Sequence, residues 1–110
     1  MSNIAIIIPT YNELDNIQRL VKEIKKNCNK CNIYIVDDTE NDDIGKLITK
    51  KKIKTKYFHR KRKSGRGSAI IYGLKKAFKD KTNKIFIEMD ADFSHDPKEI
   101  KKNLDTFKKK

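Results

Sequence analysis

Ile4-Ala5-Ile6-Ile7-Ile8 is an unbroken aliphatic run, and a short run of that kind fits a strand covered on both faces in a parallel sheet. Parallel pairing has a topological consequence: the next strand must be reached by a crossover of a dozen residues or more. The sequence supplies such a crossover at once. Ile17, Leu20, Val21 and Ile24 fall at i, i+3, i+4 and i+7, which predicts an amphipathic helix with Asn12 or Glu13 near its start. A second apolar run, residues 33–36, then leads directly into Asp37-Asp38.

The same alternation continues along the chain. A helix is expected around residues 43–51 and a strand around 53–58, both rich in lysine. Ser64-Gly65-Arg66-Gly67-Ser68-Ala69 reads as a glycine loop entering a helix whose apolar face carries Ile70, Leu74, Ala77 and Phe78. The run at 85–89 predicts a fourth strand that ends at Asp90-Ala91-Asp92. Asp96 as N-cap, Pro97 at the first helical position and Glu99 three residues after the cap mark a last helix start, with Ile100, Leu104 and Phe107 as its buried stripe. Pro9 is expected to end the first strand, because proline cannot donate to a ladder.

Strands alternating with helices predict an α/β protein with a doubly wound parallel sheet. In the order 3-2-1-4, strands one and four are neighbours at the switch point, where ligands bind beyond the carboxyl ends of the strands. Tyr11-Asn12-Glu13, Asp37-Asp38 and Asp90-Ala91-Asp92 all fall at those ends. Carboxylates gathered in one crevice repel one another unless a cation or hydrogen-bond donors compensate. Asp90 and Asp92, two apart where the chain turns, can both reach one Mg²⁺ or Mn²⁺ that keeps open positions for phosphate oxygens.

Charge narrows the function classes. The 110 residues carry a formal +12, yet residues 46–79 hold 14 Lys or Arg and no acid, and the rest of the chain sums to −2. A nucleic-acid reading needs a basic face interleaved with stacking aromatics or a recognition helix. Only Tyr57, Phe58 and Tyr72 lie near the charge, so no nucleic-acid partner is expected. Lys, Ile and Asn make up 48 residues, a bias that codon drift would also give, with lysine accumulating where solvent tolerates it. No apolar run approaches the about 20 residues a membrane helix needs, and no targeting segment opens the chain; a cytoplasmic protein is expected, peripheral at the membrane face at most. Cys28 and Cys31 form a single C-x-x-C, too few for a disulfide framework or a four-thiolate zinc site, and without the leading strand of a thioredoxin-like redox site.

Ile8-Pro9-Thr10-Tyr11-Asn12-Glu13, Val36-Asp37-Asp38, the segment from Arg60 to Ala69 with Gly65-x-Gly67, and Met89-Asp90-Ala91-Asp92-Phe93-Ser94-His95-Asp96-Pro97 stand in that order in the chain. Together they resemble the motifs of the family 2 glycosyltransferases, and within them the dolichyl-phosphate or polyprenyl-phosphate mannosyltransferase branch. The resemblance runs from Ile4 to about Ile100. It implies a Rossmann-like GT-A half that binds a nucleotide sugar. Pro9, Tyr11 and Glu13 would line the nucleotide pocket, Val36 and Asp38 would hold the base, and Asp90, Ala91 and Asp92 would meet the diphosphate. The two acids would act through Mg²⁺ or Mn²⁺, with Ser94 or a water completing the shell, and Gly65, Arg66 and Gly67 would form a phosphate loop.

The implied reaction moves mannose from GDP-mannose to dolichyl or polyprenyl phosphate with inversion, at a membrane surface or beside a membrane subunit. Relatives in that branch continue further, so residues 1–110 would form a single nucleotide-sugar-binding domain shortened at its C-terminus, or a non-catalytic or split half needing a second chain. Two positions depart from the pattern: Thr39-Glu40-Asn41-Asp42-Asp43 replaces a Gly-Ser turn, and Arg66 stands where leucine is common.

Overall fold

The computed structural model describes residues 3–28, 30–60 and 65–92. The elements follow the order β1 (Ile4–Thr10), α1 (Leu14–Asn27), β2 (Cys31–Asp37), α2 (Asp43–Lys51), β3 (Lys56–His59), α3 (Arg66–Phe78) and β4 (Ile85–Glu88). The four strands form one parallel sheet in the order β3-β2-β1-β4. This is the expected α/β arrangement. The predicted helix after Asp96 lies outside the described residues.

The strand alternation of β1 sorts its side chains between two cores. Ile4, Ile6 and Ile8 join Ile33 and Ile35 of β2 under Ile17, Leu20, Val21 and Ile24 of α1 and Ile44 of α2. Ala5 and Ile7 point the other way, with Tyr34, towards Ala77 of α3. Helices α1 and α2 thus cover one face and α3 the other, so the winding reverses at β1. That reversal opens the crevice between the ends of β1 and β4.

Four details differ from the sequence expectation, each for a local reason. First, β1 runs through Pro9 to Thr10. Its pairing with β4 stops at Ile7↔Glu88, so Pro9 lies where β1 has a partner on one side only and its missing N–H is tolerated. Second, β3 begins at Lys56 rather than at 53. The Ile53 N–H instead closes back on Ile48 O at 3.0 Å, behind Lys52 in the left-handed region at φ 52°, a helix-terminating turn that places Ile53 against the core as a plug.

Third, the buried stripe of α3 is Ala69, Gly73 and Ala77, while Phe78 is exposed. Small residues at i, i+4 and i+8 let the helix axis approach the sheet closely. A Cβ on Gly73 would stand 2.6 Å from Ile7 Cγ2 and 3.2 Å from Val36 Cγ2. Fourth, Cys28 and Cys31 are joined as a disulfide, with Cα atoms 5.6 Å apart, across the turn from α1 into β2.

Parallel winding also fixes where the helices end. The C-termini of α1, α2 and α3 lie at the amino ends of the strands, opposite the crevice. Their last turns carry Lys25 and Lys26, Lys50 and Lys51, and Lys75 and Lys76, each cation complementing the partial negative charge of a helix end. Much of the described part of the basic cluster therefore sits away from the crevice. Lys46 in the first turn of α2, Arg60 just after β3 and Arg66 at the start of α3 lie at the crevice end.

Candidate functional site at the carboxyl ends of the strands

A cavity of about 330 Å³ opens at the switch point, lined by Pro9, Thr10, Tyr11, Glu13, Asp38, Gly65, Arg66, Ala69, Asp90 and Asp92. It draws on the ends of β1, β2 and β4 and on the first turn of α3. Eight of the residues named from sequence meet there: Pro9, Tyr11, Glu13, Asp38, Gly65, Arg66, Asp90 and Asp92 make up the wall together with Thr10 and Ala69. Gly67 lies one residue further into α3 and is exposed.

Val36 and Ala91 are placed elsewhere. Val36 is wholly buried, with Cγ2 beneath Gly73 of α3, and Ala91 packs in the core with Met89. Both are in motif positions, yet neither side chain is part of the cavity wall: Val36 packs under α3 and Ala91 in the core. Ser94 lies outside the described residues.

The two acids after β2 have separate duties. Asp37 is 0% exposed and belongs to the framework. Its Oδ1 accepts from Thr10 Oγ1 at 2.9 Å and from Thr39 Oγ1 at 2.7 Å, and its Oδ2 accepts from the Tyr57 hydroxyl at 3.4 Å. The Thr39 hydroxyl in turn accepts from the Asn12 N–H at 2.9 Å. Asn12, at φ 56°, makes the sharp turn out of β1. One buried carboxylate thus ties together the loops after β1 and β2, and Thr39, which departs from the expected Gly-Ser turn, is part of that tie.

Asp38, by contrast, faces the cavity. Arg60 grips it with a fork, Nε to Oδ1 at 2.6 Å and Nη2 to Oδ2 at 2.7 Å, while Nη1 donates to Ser68 Oγ at 2.9 Å. This hydrogen bonding raises the Arg60 pKa above the ordinary guanidinium value, against a smaller opposing effect of burial. The Arg60 guanidinium also lies 5.6 Å from the centroid of the Tyr72 ring. His59 Nε2 donates to Thr39 O at 2.6 Å; a carbonyl only accepts, which fixes the proton on that nitrogen.

Arg66 opens α3. Gly65 before it takes φ 96°, a conformation that favours glycine, and as the N-cap residue it has no side chain to cap the helix. The first backbone N–H groups of a helix have no intrahelical acceptor and carry partial positive charge. A Cβ built on Gly65 or Gly67 would meet nothing within 4 Å. Packing therefore does not require glycine at 67, and the absent side chain leaves the helix end open to a ligand's approach.

On the facing wall, Arg66 donates from Nε to Asp90 Oδ1 at 2.7 Å, and its Nη2 stands 2.6 Å from the same oxygen. Hydrogen bonding to Asp90 raises the Arg66 pKa, and the charges of Glu88 and Asp92 add to the effect. Asp90 and Asp92 offer hard oxygen donors at the end of β4. Among the described residues no group of three His, Cys, Asp or Glu gathers to hold an ion alone. Two carboxylates beside an open cavity suit Mg²⁺ or Mn²⁺, which keep several positions for water and ligand phosphates, better than a metal needing a complete protein cage.

Thr10, Ala69 and Arg60 were not singled out from sequence as site residues. Thr10 follows from the extension of β1 beyond Pro9. Ala69 lies one helical turn from Gly65, and its N–H closes on Gly65 O at 3.0 Å. Arg60 becomes recognisable once β3 is seen to end at His59, since the next residue then stands at a strand's carboxyl end.

Residues 5–110 match the model of the family described as Glycosyl transferase family 2. The chain is 33% identical over 108 residues to the polyprenol monophosphomannose synthase of Mycolicibacterium smegmatis, covering 91% of this chain and 39% of that protein. It is 34% identical over 109 residues to the dolichol-phosphate mannosyltransferase of Pyrococcus furiosus, covering 96% and 30%. With the undecaprenyl-phosphate mannosyltransferase of Micrococcus luteus it shares 27% identity over 108 residues, covering 96% and 44%. The chain thus spans less than half the length of each of these relatives. A parallel sheet ordered 3-2-1-4, a cavity at its switch point and a family match over nearly all the residues lead to one conclusion: the chain belongs to glycosyl transferase family 2.

Proposed function

We propose that the chain is the nucleotide-sugar-binding part of a glycosyltransferase that passes mannose from GDP-mannose to a polyprenyl phosphate such as dolichyl phosphate. The observation that carries this reading is the composition of the cavity wall. The start of α3, with glycine at its cap position and again at 67, shares one cavity with Asp90, Asp92, Asp38 and Tyr11. A diphosphate fits between a helix N-terminus and a carboxylate-bound cation. Tyr11 offers a ring to the base or ribose, Glu13 an acceptor to a hydroxyl or base edge, and Asp38 an acceptor to a ring N–H. The names of the three relatives, each a polyprenyl-type phosphate mannosyltransferase or synthase, support the choice of sugar and acceptor.

The chemistry asks little of a general base. An oxygen of the acceptor phosphate forms a bond to C1 of the sugar as the bond from C1 to the donor diphosphate breaks, the electron pair leaving with GDP and the configuration at C1 inverting. The attacking phosphate is already an anion near neutral pH, so no hydroxyl proton has to be removed. Mg²⁺ or Mn²⁺ held by Asp90 and Asp92 would supply charge neutralisation at the leaving diphosphate. The residues of this chain orient the donor, and the α3 N-terminus and Arg66 add positive potential at the phosphates.

No helix among the described residues is long and apolar enough to cross a membrane, and a peripheral or subunit-assisted approach to the lipid acceptor is part of this proposal. A second reading, donor binding without transfer until a second chain is present, shares the same site. Transfer of labelled mannose from GDP-mannose to polyprenyl phosphate in vesicles separates the two. GDP binding with transfer supports the first reading, GDP binding without transfer supports the second, and failure to bind GDP rejects both.

A further inference from the structure

We propose that Arg66 is an exchangeable counter-cation for Asp90: it holds this carboxylate in the ligand-free site, yields it to a divalent ion, and turns to the donor diphosphate. The inference rests on the reading of the cavity as a nucleoside-diphosphate site and adds a positioning residue to it.

Three observations support the exchange. Both donors of the guanidinium edge, Nε and Nη2, converge on one oxygen, Asp90 Oδ1, at 2.7 and 2.6 Å. An ion seated on that oxygen has to displace at least one of them. The pair is also only lightly shielded, with 49% of the Arg66 side chain and 30% of that of Asp90 exposed, and half-exposed ion pairs are weak enough to be broken by a competing ligand. Finally, Arg66 feels the charges of Glu88 and Asp92 as well as that of Asp90, so its guanidinium is held by the acidic end of β4 as a group. A divalent ion bringing two positive charges to those acids weakens their hold on Arg66.

The direction of its release follows from where it is anchored. Arg66 is the first residue of α3, and Gly65 and Gly67 leave open space on either side of it. A guanidinium displaced from Asp90 remains over the helix N-terminus, the place offered to the diphosphate, and its planar fork matches phosphate oxygens. Lysine cannot reproduce that fork, and leucine supplies neither charge nor donors.

The exchange predicts effects of opposite sign from one substitution. Direct Mn²⁺ binding to the full chain is measured without nucleotide, by the loss of free-ion electron paramagnetic resonance signal, and GDP binding is measured by calorimetry at saturating Mn²⁺. Arg66→Leu is expected to tighten Mn²⁺ about three- to tenfold by removing a competitor and a like charge, and to weaken GDP by about tenfold or more through loss of charged hydrogen bonds. Arg66→Lys is expected to lie between, and circular dichroism checks that both variants keep the fold. Unchanged or weaker Mn²⁺ binding in Arg66→Leu, or no Mn²⁺ binding in either protein, overturns the exchange even if wild type binds GDP. Unchanged GDP affinity overturns the diphosphate contact. Tighter Mn²⁺ binding in a chain that binds no GDP rejects the nucleotide reading instead and leaves only the competition between Arg66 and the ion.

Discussion

Arg60 holds both carboxylate oxygens of Asp38 while its remaining amino group reaches Ser68, so one guanidinium joins the end of β2 to the first turn of α3. Asp38 is 4% exposed, and without Arg60 its charge would stand nearly buried beside the cavity. Arg60→Met is expected to lower stability by about 1–3 kcal/mol, the usual cost of removing hydrogen bonds to a buried charged group. GDP affinity should fall with it. Arg60→Lys should recover little of either, because an ammonium cannot make the fork. Denaturant unfolding and calorimetry on the two variants check this, and wild-type values in Arg60→Met would show that the pair is incidental.

Gly73 and Gly67 lie on the same helix and should respond oppositely to alanine. At Gly73 the new methyl meets Ile7 Cγ2 at 2.6 Å, against a β-branched side chain fixed in the sheet. Overpacking of this kind costs about 1–3 kcal/mol, more than the gain in helix propensity. At Gly67 there is nothing to meet, so alanine should leave stability unchanged or raise it by up to about 1 kcal/mol. The same methyl intrudes on the proposed diphosphate position, and GDP affinity should drop. Thermal melts of both variants, with GDP titrations of Gly67→Ala, test the contrast.

Tyr57 gives the fold an alkaline limit. Burial, and then its hydrogen bond to Asp42 at 2.6 Å, push the phenol well above its ordinary pKa of 10.0. The folded state therefore retains a proton that the unfolded chain releases at lower pH. The stabilisation is complete below pH 10 and is lost progressively as the pH rises above it. Stability measured by urea unfolding should decline through this alkaline range in wild type and decline less steeply in Tyr57→Phe. Equal slopes would contradict the placement of the hydroxyl against Asp37 and Asp42.

Lys50, Lys51 and Lys52 stand at the C-terminal end of α2, at the sheet edge opposite the cavity. Replacing all three with glutamine should leave GDP affinity unchanged. If that edge also meets an anionic surface, retention on phosphatidylserine vesicles should fall, each lysine near such a surface contributing about 1 kcal/mol. A lost GDP signal would place these lysines at the site after all.

The elements themselves were legible wherever hydrophobic period and length agree. The five aliphatic residues of β1, the i, i+3, i+4, i+7 stripe of α1 and the bounds of α2 correspond to the observed Ile4–Thr10, Leu14–Asn27 and Asp43–Lys51. The observed strand order agrees with the expected 3-2-1-4, and right-handed crossovers then put α1 and α2 on one face and α3 on the other. Side-chain direction was less legible. The expected face of α3 gave weight to large residues such as Phe78, whereas the sheet demands closeness and selects Ala69, Gly73 and Ala77. Ile53 looked like the start of a strand because a helix-terminating plug and a strand residue are equally apolar. At the site, motif positions did not distinguish wall from core, so Val36 and Ala91 were expected beside Asp38 and Asp92 and are buried away from the wall. Arg60 was hidden by the one-residue shift at the end of β3.

The decisive experiment is calorimetry of GDP with Mn²⁺ on wild type and on Asp90→Asn combined with Asp92→Asn. Wild type should bind GDP more tightly with Mn²⁺ than without it, and the double variant should lose that metal-dependent gain while keeping its fold by circular dichroism. Identical Mn²⁺-dependent GDP binding in the two proteins would contradict the assignment of the β4 carboxylates to the diphosphate end of a nucleotide-sugar site.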